Sequence, residues 1–216
     1  MLQFLNGEVQ LSEYSFLIFI GGFLDGDYLG SARVGVNRFK FCPPDKIDLK
    51  AELKQFVENR KLILGICNGF QFLVKLGLLP EEQLAFEQQT VSLTQNQKGI
   101  FEDRWVHLAV NPANSNIFTR NIKQMYLPVR HGEGRIVITR EETQKMILSE
   151  NLIAMSYADA DGNSTDRYPD NPNGSWQNIA ALSNAQGNIL GLMPHPEAYN
   201  HYTNHPHWTR LSFPEE

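Results

Sequence analysis

The sequence is poor in cysteine and has neither a long hydrophobic run nor a block of like charge. Its two cysteines, Cys42 and Cys67, form no Cys-x-x-Cys pair, which argues against a disulfide scaffold and a cysteine-based zinc site. The most apolar stretch, residues 16–20, is too short to span a bilayer, and the N-terminus lacks a basic region followed by a cleavage site. The 19 basic and 24 acidic residues are dispersed, unlike those of a nucleic-acid-binding protein. These absences predict a cytoplasmic protein with neither a nucleic acid nor a membrane as its partner.

The 216 residues, 42% of them hydrophobic, are enough for one domain covering residues 1–216 with a substantial core. Short apolar runs that end in glycine are each followed by a loop or a helix-like stretch, which is typical of an α/β fold. The runs at residues 16–20 and 61–66 predict parallel strands covered on both faces. Residues 46–59 between them predict an amphipathic crossover helix, and a second helix is expected to begin near residue 67.

The pattern changes between residues 90 and 138 to short alternating runs, which predict antiparallel strands added to the parallel core. Residues 159–178 are dense in turn-forming types, and a loop of that length is usually either functional or mobile. Residues 179–182 and 189–193 flank a Gln-Gly-Asn turn and predict a hairpin. The expected fold is a three-layer α/β fold with an open mixed sheet and a mostly parallel core.

Residues 65–69, Gly-Ile-Cys-Asn-Gly, join a predicted buried strand to a predicted helix. Glycines two positions either side of the central residue permit the cramped turn that presents a nucleophile at the mouth of a sheet. The start of a helix favours thiolate over thiol, because backbone N–H groups and the positive end of the helix dipole lie near the sulfur. We therefore predict that Cys67 is a nucleophile. Cys42 lies beside two prolines without such a context and is interpreted as an ordinary small hydrophobic residue.

A thiolate nucleophile needs a base to move protons and a group that orients the base. Pro-His-Pro-Glu at residues 194–197 follows a predicted strand and supplies both. The prolines favour an extended backbone at His195, at a strand end where α/β proteins place their sites. Since residues two apart in an extended segment point the same way, we expect the Glu197 carboxylate to reach the His195 ring.

The developing oxyanion of such a reaction needs hydrogen-bond donors. The backbone N–H of Asn68, on the helix side of the predicted turn, is one candidate. The Gly-Gly-Phe turn at residues 21–23 ends the other predicted buried strand, and its Gly22 and Phe23 backbone is the second candidate. Two strand ends would then face one point.

Three segments resemble, in family order, the class I (triad) glutamine amidotransferases: Gly-Gly-Phe at residues 21–23, Gly-Ile-Cys-Asn-Gly-Phe-Gln at 65–71 and Gly-Leu-Met-Pro-His-Pro-Glu at 191–197. Within that family, Gly-Asp-Tyr at residues 26–28, His-Gly-Glu-Gly-Arg at 131–135 and Tyr-Pro-Asp-Asn-Pro-Asn-Gly-Ser at 168–175 resemble the glutaminase subunits of phosphoribosylformylglycinamidine synthase, an enzyme of de novo purine synthesis. The resemblance implies the flavodoxin-like amidotransferase fold.

The resemblance also implies roles for individual residues. Cys67 would be the nucleophile, His195 the acid and base, and Glu197 its orienting partner, in agreement with the chemistry above. The Gln71 side chain and the backbone of Asn173, Gly174 and Ser175 would help to grip the α-amino and α-carboxylate groups of glutamine.

The partners that the resemblance implies are L-glutamine, a large synthetase subunit that uses ATP and Mg²⁺, and a small bridging subunit. Ammonia released from glutamine would pass to the synthetase. The chain has no Gly-x-x-x-x-Gly-Lys-Ser/Thr motif, so we expect no cofactor in the chain and an ATP site elsewhere.

The chain departs from the family pattern at both ends. Relatives normally begin with an extra strand and helix, so one βα unit is expected to be absent before Leu2, and its strand would belong at the middle of the sheet. Ala198 stands where relatives often carry Arg. Three histidines follow, at 201, 205 and 207, but no cysteine or acidic ligand lies near them, so a solvated tail is favoured over a zinc site. His131 and Glu133 are either pocket or partner-facing residues or an exposed, solvated pair.

Two alternative functions remain at this point. The chain would be a stand-alone cysteine hydrolase of the same architecture, such as a γ-glutamyl hydrolase or a peptidase, if it worked at full rate without a partner. It would be a non-catalytic assembly module if Cys67 proved unreactive.

Overall fold

The computed structural model describes residues 2–22, 30–41, 48–81 and 89–211, and every structural statement below concerns those ranges. The helices are α1 (Leu2–Leu5), α2 (Arg33–Lys40), α3 (Leu49–Glu58), α4 (Asn68–Lys75) and α5 (Glu141–Ser149). The strands are β1 (Phe16–Phe19), β2 (Leu62–Ile66), β3 (Ser92–Thr94), β4 (Glu102–Val110), β5 (Gln124–His131), β6 (Arg135–Val137), β7 (Ile153–Ala158), β8 (Ile179–Ser183) and β9 (Ile189–Leu192). Cys42 and Phe23 lie outside the described residues.

Seven of the strands form one sheet in the order β1-β2-β9-β8-β7-β4-β5, and β3 pairs with β6 in a second, two-stranded sheet. Strands β1, β2 and β9 run parallel, whereas every other pair in the large sheet is antiparallel. The predicted mixed α/β sheet is confirmed, as is the hairpin of β8 and β9. The residues of the predicted Cys-His-Glu triad follow two of these parallel strands: Cys67 comes directly after β2, and His195 and Glu197 come shortly after β9.

The predicted crossover helix is confirmed as α3, which connects β1 to β2 after α2. Its N-terminus is capped by Asp48, whose carboxylate accepts a hydrogen bond from the Ala51 N–H at 2.9 Å. Apolar residues at helical spacing bury one face of α3, including the fully buried Leu53 and Phe56. Helix α4 follows β2 directly and packs against all three parallel strands, so it forms the centre of the core beneath them.

The prediction that β1 is covered on both faces is wrong. Phe16 and Ile18 are 42% and 45% exposed, whereas Leu17 and Phe19 face the helices, and Phe19 stacks on Phe72 of α4 with ring centroids 4.9 Å apart. Strand β1 occupies one edge of the sheet, and only α1 and a 3₁₀ turn precede it in the described chain. A continuous apolar run predicts burial on two faces only when a layer covers each of them.

The large sheet curls, and β5, the strand at the opposite edge from β1, contacts the residues that follow β2 and β9 through two of its backbone carbonyls. The Pro128 carbonyl accepts a hydrogen bond from the backbone N–H of His195 at 2.8 Å, and the Arg130 carbonyl lies 3.8 Å from the Cys67 sulfur. The antiparallel elaboration predicted for residues 90–138 therefore supplies one wall of the site.

Among the described helices, none combines the length and the apolarity that crossing a bilayer requires.

The unequal burial of β1 and β2 predicts unequal responses to truncation. Ile63→Ala removes a side chain that is fully buried, and we expect it to lower the free energy of unfolding by about 2–5 kcal/mol. The matched variant Ile18→Ala removes a 45% exposed side chain and should cost less than about 1 kcal/mol. Urea unfolding followed by circular dichroism measures both values, and equal losses would contradict the exposure of β1.

Candidate active site

Cys67 lies at the sharp turn between β2 and α4 with φ 51° and ψ −104°, a backbone conformation that is strained for any residue but glycine. The flanking glycines make this turn sterically possible. A Cβ at Gly69 would collide with the Phe19 carbonyl oxygen, and one at Gly65 would lie 2.7 Å from the Gly69 carbonyl oxygen. The turn is therefore packed backbone against backbone, which holds the Cys67 side chain at the N-terminus of α4.

The turn at the end of β1 lies directly beside this helix start. The Asn68 side-chain amide donates a hydrogen bond to the Gly22 carbonyl at 2.7 Å, and Gly22 has φ 108°, a conformation that favours glycine. The two strand-end turns are thus bonded together, and the Gly22 and Asn68 backbones border the same space. The third residue predicted for the oxyanion site, Phe23, lies outside the described ranges.

His195 follows β9 and is fixed through both its backbone and its ring. Its N–H is bonded to β5, and its Nδ1 lies 2.6 Å from Glu197 Oε1. The two residues were expected to pair through an extended backbone, and the expected contact is present, but Pro196–Ala198 form a 3₁₀ turn that brings the carboxylate back to the ring. Because Nδ1 donates to a carboxylate, Nε2 of neutral His195 is an acceptor, and it is buried without a hydrogen-bond partner among the described residues.

Cys67 and His195 meet at Gly21. A Cβ on Gly21 would lie 3.0 Å from His195 Cε1 and 3.4 Å from Cys67 Cβ. The side chains of Cys67 and His195 therefore both pack against Gly21, in space that a side chain at this position would occupy. The structure brings Cys67, His195 and Glu197 together from two segments of the chain, in the arrangement that a nucleophile, a base and an orienting carboxylate would need.

The His-Gly-Glu-Gly turn at residues 131–134, between β5 and β6, is held by buried polar side chains from other segments. Gln71 Nε2 of α4 donates to the Glu133 carbonyl at 2.6 Å, and Asn173 Nδ2 donates to the Gly134 carbonyl at 2.9 Å. Ser175 Oγ accepts the Ile136 N–H at 3.0 Å. The Gln71 side chain, which was predicted to help grip glutamine, thus ties this turn to α4, and the side chains of Asn173 and Ser175 hold it from another segment.

The backbone N–H groups of residues 173–175 are hydrogen-bonded within their own loop. The N–H groups of Asn173 and Gly174 donate to Asn171 Oδ1, and the Ser175 N–H donates to Asn173 Oδ1. These donors are therefore already paired within the loop, and gripping the α-carboxylate of glutamine would require exchanging those bonds. The structure supports a positioning role for the segment, acting through the 131–134 turn.

His131 is the site residue that the sequence reasoning left undecided. It is 3% exposed, which is inconsistent with an exposed, solvated residue, and its ring packs on Gly134. Burial, and to a lesser extent the neighbouring His195, lower the pKa of His131 from its usual value of 6.5 to about 4. Glu133 is half-buried and accepts a hydrogen bond from Ser31 Oγ at 2.7 Å. The His-Gly-Glu-Gly motif is the sequence signal that points to His131, but a motif does not show whether its side chains are buried or which residues they approach.

Tyr157 was not singled out from the sequence. It is fully buried on β7, and its hydroxyl lies 3.0 Å from Asn173 Nδ2, so it extends the network behind the turn. Burial raises its pKa strongly and keeps the phenol neutral.

The histidine-rich tail is exposed apart from His205, which is half-buried and lies among Trp105, Tyr126 and Tyr199 with ring centroids 5.3–5.9 Å away. In the part of the chain that the structure describes, no three His, Cys, Asp or Glu side chains are grouped closely enough to hold a metal ion. The histidines of this tail pack on aromatic rings or make hydrogen bonds in local turns.

Residues 1–215 match the CobB/CobQ-like glutamine amidotransferase domain. The chain is 41% identical over 207 residues to "Phosphoribosylformylglycinamidine synthase subunit PurQ" of Dehalococcoides mccartyi, an alignment that covers 96% of this chain and 76% of the relative. It is 38% identical over 192 residues to the protein of the same name from Methanococcus maripaludis, covering 88% and 68%. Among solved structures it is similar to a chain of "Structure of PurLQS from Thermotoga maritima", with 30% identity, a TM-score of 0.66 and coverage of 91% and 76%.

The contacts of Gly21 predict a variant that separates reactivity from stability. Gly21→Ala pushes the His195 ring away from Cys67, so we expect the rate of Cys67 alkylation by iodoacetamide at neutral pH to fall at least severalfold, with a small change in unfolding free energy. The control, Gly99→Ala, has open space around it but φ 68°, and should cost about 1–2 kcal/mol of stability without slowing alkylation. An unchanged alkylation rate in Gly21→Ala would contradict this packing.

The lowered pKa of His131 predicts a pH dependence of stability. Between pH 6.5 and about 4 the unfolded chain binds a proton at His131 that the folded chain does not, so the free energy of unfolding falls as the pH falls through that window. His131→Gln should flatten this dependence by up to about 1.4 kcal/mol per pH unit, measured by urea unfolding at several pH values. His207→Gln, which removes an exposed histidine, is the control, and wild-type slopes in His131→Gln would be the contrary result.

Proposed function

The chain belongs to the CobB/CobQ-like glutamine amidotransferase family, and on that premise we propose that it is the glutaminase subunit of phosphoribosylformylglycinamidine synthase, in de novo purine synthesis. The observation that carries the proposal is the convergence of Cys67 and the His195–Glu197 pair at Gly21. This geometry suits attack by a thiolate on the side-chain amide of glutamine, and the named relatives support the biosynthetic setting.

The first half of the reaction forms a thioester. His195 Nε2 takes the proton of the Cys67 thiol, and the thiolate adds to the carboxamide carbon of glutamine. The backbone N–H groups at the start of α4 and in the turn after β1 stabilise the oxyanion, with Asn68, Gly22 and Phe23 as the candidate donors. As the C–N bond breaks, the imidazolium of His195 returns the proton to the departing nitrogen, which leaves as ammonia.

The second half of the reaction releases glutamate. His195 takes a proton from water as the hydroxide adds to the γ-glutamyl thioester, and the C–S bond then breaks to release glutamate. The imidazolium of His195 returns its proton to the Cys67 sulfur, which restores the thiol and the neutral base. Glu197 holds the Nδ1–H of His195 throughout, so that Nε2 faces the reacting atoms, and it stabilises the imidazolium in both halves. The net change is glutamine and water to glutamate and ammonia.

Ammonia is the product that the synthase uses. Similarity to a chain of the Thermotoga assembly supports association with PurL, a large synthetase subunit, and PurS, a small bridging subunit. We assign ATP and Mg²⁺ to the synthetase, because the sequence carries no phosphate-binding Gly-x-x-x-x-Gly-Lys-Ser/Thr motif. This chain would then bind glutamine alone.

Removing the nucleophile tests this assignment. In the reconstituted complex, Cys67→Ala should abolish glutamine-dependent synthesis of formylglycinamidine ribonucleotide and leave synthesis from free ammonia at the wild-type rate, because only ammonia release needs the sulfur. Cys42→Ala is the matched control for loss of a thiol and should retain both activities. Product formation with each nitrogen source is the measurement.

The contrary outcomes identify the rival functions. Loss of both activities in Cys67→Ala would argue against a role confined to the glutaminase step. Full glutamine turnover by the isolated chain, unaffected by partners, would indicate a stand-alone hydrolase. Failure of a glutamine-like diazoketone to alkylate Cys67 in the complex would indicate a non-catalytic module.

A further inference from the structure

The orienting carboxylate of Glu197 is the least enclosed member of the candidate triad. Its side chain is 51% exposed, against 10% for the side chain of His195. Among the described residues, its carboxylate is hydrogen-bonded only to the His195 ring, with Oε1 2.6 Å from Nδ1. An exposed pair of this kind is weak, because water competes for the bond and the side chains stay mobile. The orientation of Glu197 therefore depends on how firmly the backbone beneath it is held.

The 3₁₀ turn that carries Glu197 is tied to β5 at its first end. There the N–H of His195 donates to the Pro128 carbonyl at 2.8 Å. At the far end, the N–H of Tyr199 donates to the Pro196 carbonyl at 3.0 Å, which closes the turn on itself. A single 3₁₀ turn has few bonds and poor hydrogen-bond geometry, so its far end needs an anchor from outside the turn.

Tyr199 supplies that anchor through its ring. The ring packs edge-on against Trp105 of β4, with the centroids 5.2 Å apart and an interplanar angle of 77°. Trp105 is in turn the cross-strand partner of Pro128 in the β4–β5 ladder. The two ends of the turn are thus fixed to neighbouring points of one ladder, by a backbone hydrogen bond at His195 and by an aromatic contact at Tyr199.

The chain beyond the turn adds a further ring to this contact. His205 is half-buried, and its ring centroid lies 5.9 Å from that of Tyr199, 5.5 Å from that of Trp105 and 5.3 Å from that of Tyr126. Trp105 and Tyr126 lie 5.4 Å apart, so the four rings form one aromatic cluster. The tail predicted to be solvated therefore returns to the sheet at His205 and packs on the anchor of the turn.

We propose that Tyr199 is a positioning residue of the glutaminase site and acts through Glu197. The aromatic cluster holds the Tyr199 ring, Tyr199 fixes the 3₁₀ turn, and the turn aims the carboxylate at Nδ1 of His195. The inference rests on the proposed function, in which His195 moves the protons. It makes the tail part of the glutaminase site, although no ring of the aromatic cluster needs to touch glutamine.

A misplaced carboxylate changes which nitrogen of His195 can act as the base. While Glu197 accepts the Nδ1–H, Nε2 is free to take the proton of the thiol. When the carboxylate moves away, the tautomer with hydrogen on Nε2 becomes populated, and that nitrogen can no longer accept a proton. The loss falls on the chemical step and not on glutamine binding, so kcat falls while KM stays the same.

One alternative gives the aromatic cluster a purely structural role. Packed rings bury apolar area and stabilise the tail whether or not Glu197 is present. In that case the loss of the Tyr199 ring would lower the free energy of unfolding, and any effect on glutamine turnover would be the same with and without the Glu197 carboxylate.

Three variants of the full chain, assembled with its synthetase partner, separate the two roles. Tyr199→Leu keeps an apolar side chain and loses the ring, whereas Tyr199→Phe keeps the ring and loses only the hydroxyl. Tyr202→Leu is the matched control, because Tyr202 is a 45% exposed tyrosine of the same tail whose ring packs on His201 and Trp208. Each variant is also combined with Glu197→Ala, and steady-state glutamine consumption gives kcat and KM.

We expect Tyr199→Leu to lower kcat about 10- to 100-fold while KM changes by less than about twofold, because a small misplacement of a positioning group has a cost of that order. Tyr199→Phe and Tyr202→Leu should keep kcat within about twofold of the wild type. In the Glu197→Ala background, Tyr199→Leu should have no further effect, since the group through which it acts is gone. Wild-type kcat in Tyr199→Leu, or an equal loss in both backgrounds, would overturn the inference.

The ring nitrogens of His195 report the same effect without any substrate. In ¹⁵N-labelled wild-type protein and in Tyr199→Phe, we expect Nδ1 to carry the hydrogen and Nε2 to resonate as an unprotonated nitrogen. In Tyr199→Leu the two resonances should move towards each other as the tautomers mix, with backbone amide resonances still dispersed as in a folded protein. Unchanged His195 resonances in folded Tyr199→Leu would contradict the positioning role.

A milder variant keeps the test decisive if Tyr199→Leu does not fold. His205→Ala loosens the aromatic cluster from the tail side and leaves Tyr199 in place. It should move the His195 resonances in the same direction by a smaller amount, and resonances that stay at their wild-type positions would then overturn the inference.

The two proposals fail differently. If the His195 resonances respond to Tyr199→Leu as expected but the unmodified complex does not consume glutamine, the proposed function fails and the positioning of Glu197 stands. If the complex consumes glutamine normally and neither kcat nor the resonances respond to Tyr199→Leu, only this inference is overturned.

Discussion

The site depends on a backbone-to-backbone approach between the turn after β2 and the end of β1. Gly69 lies against the Phe19 carbonyl, and Gly21 leaves space that the side chains of Cys67 and His195 fill. Any side chain at these glycines would separate the strands or displace the base. The strained conformation of Cys67 is tolerated because the surrounding packing leaves the turn no room to relax. The position of the Cys67 side chain is thus a consequence of how closely β1, β2 and α4 pack.

Because the sheet curls, the antiparallel half of the molecule borders the candidate active site. Strand β5 places two backbone carbonyls against the residues that follow β2 and β9, and the turn after β5 is bonded to α4 through Gln71. Behind it, Asn173 and Tyr157 complete a buried polar network. A buried network whose members are paired is rigid, so it can hold a pocket wall in place.

The sequence predicted the elements and the triad with their pairing, and it failed where burial depended on distant neighbours. The Gly-x-Cys-x-Gly spacing predicted a strained turn because only small residues fit there, and the two prolines marked His195 as a fixed strand-end residue. The apolar run of β1 predicted coverage on both faces, but Phe16 and Ile18 are exposed because no layer among the described residues covers that face of β1. Periodicity reports which faces are apolar and cannot report whether another layer lies over them.

Local chemistry in the sequence predicted Cys67 as a nucleophile, His195 as its base and Glu197 as the orienting carboxylate, since each prediction depends on a motif of a few residues whose backbone geometry those residues impose. The tertiary structure decided what surrounds them. Only the fold shows that the backbone N–H groups of residues 173–175 are bonded within their own loop and that Glu197 reaches His195 through a 3₁₀ turn. It also shows that His131 is buried and that its Nε2 has no hydrogen-bond partner among the described residues. These properties arise from contacts between segments far apart in the chain, and local residue patterns carry no record of such contacts.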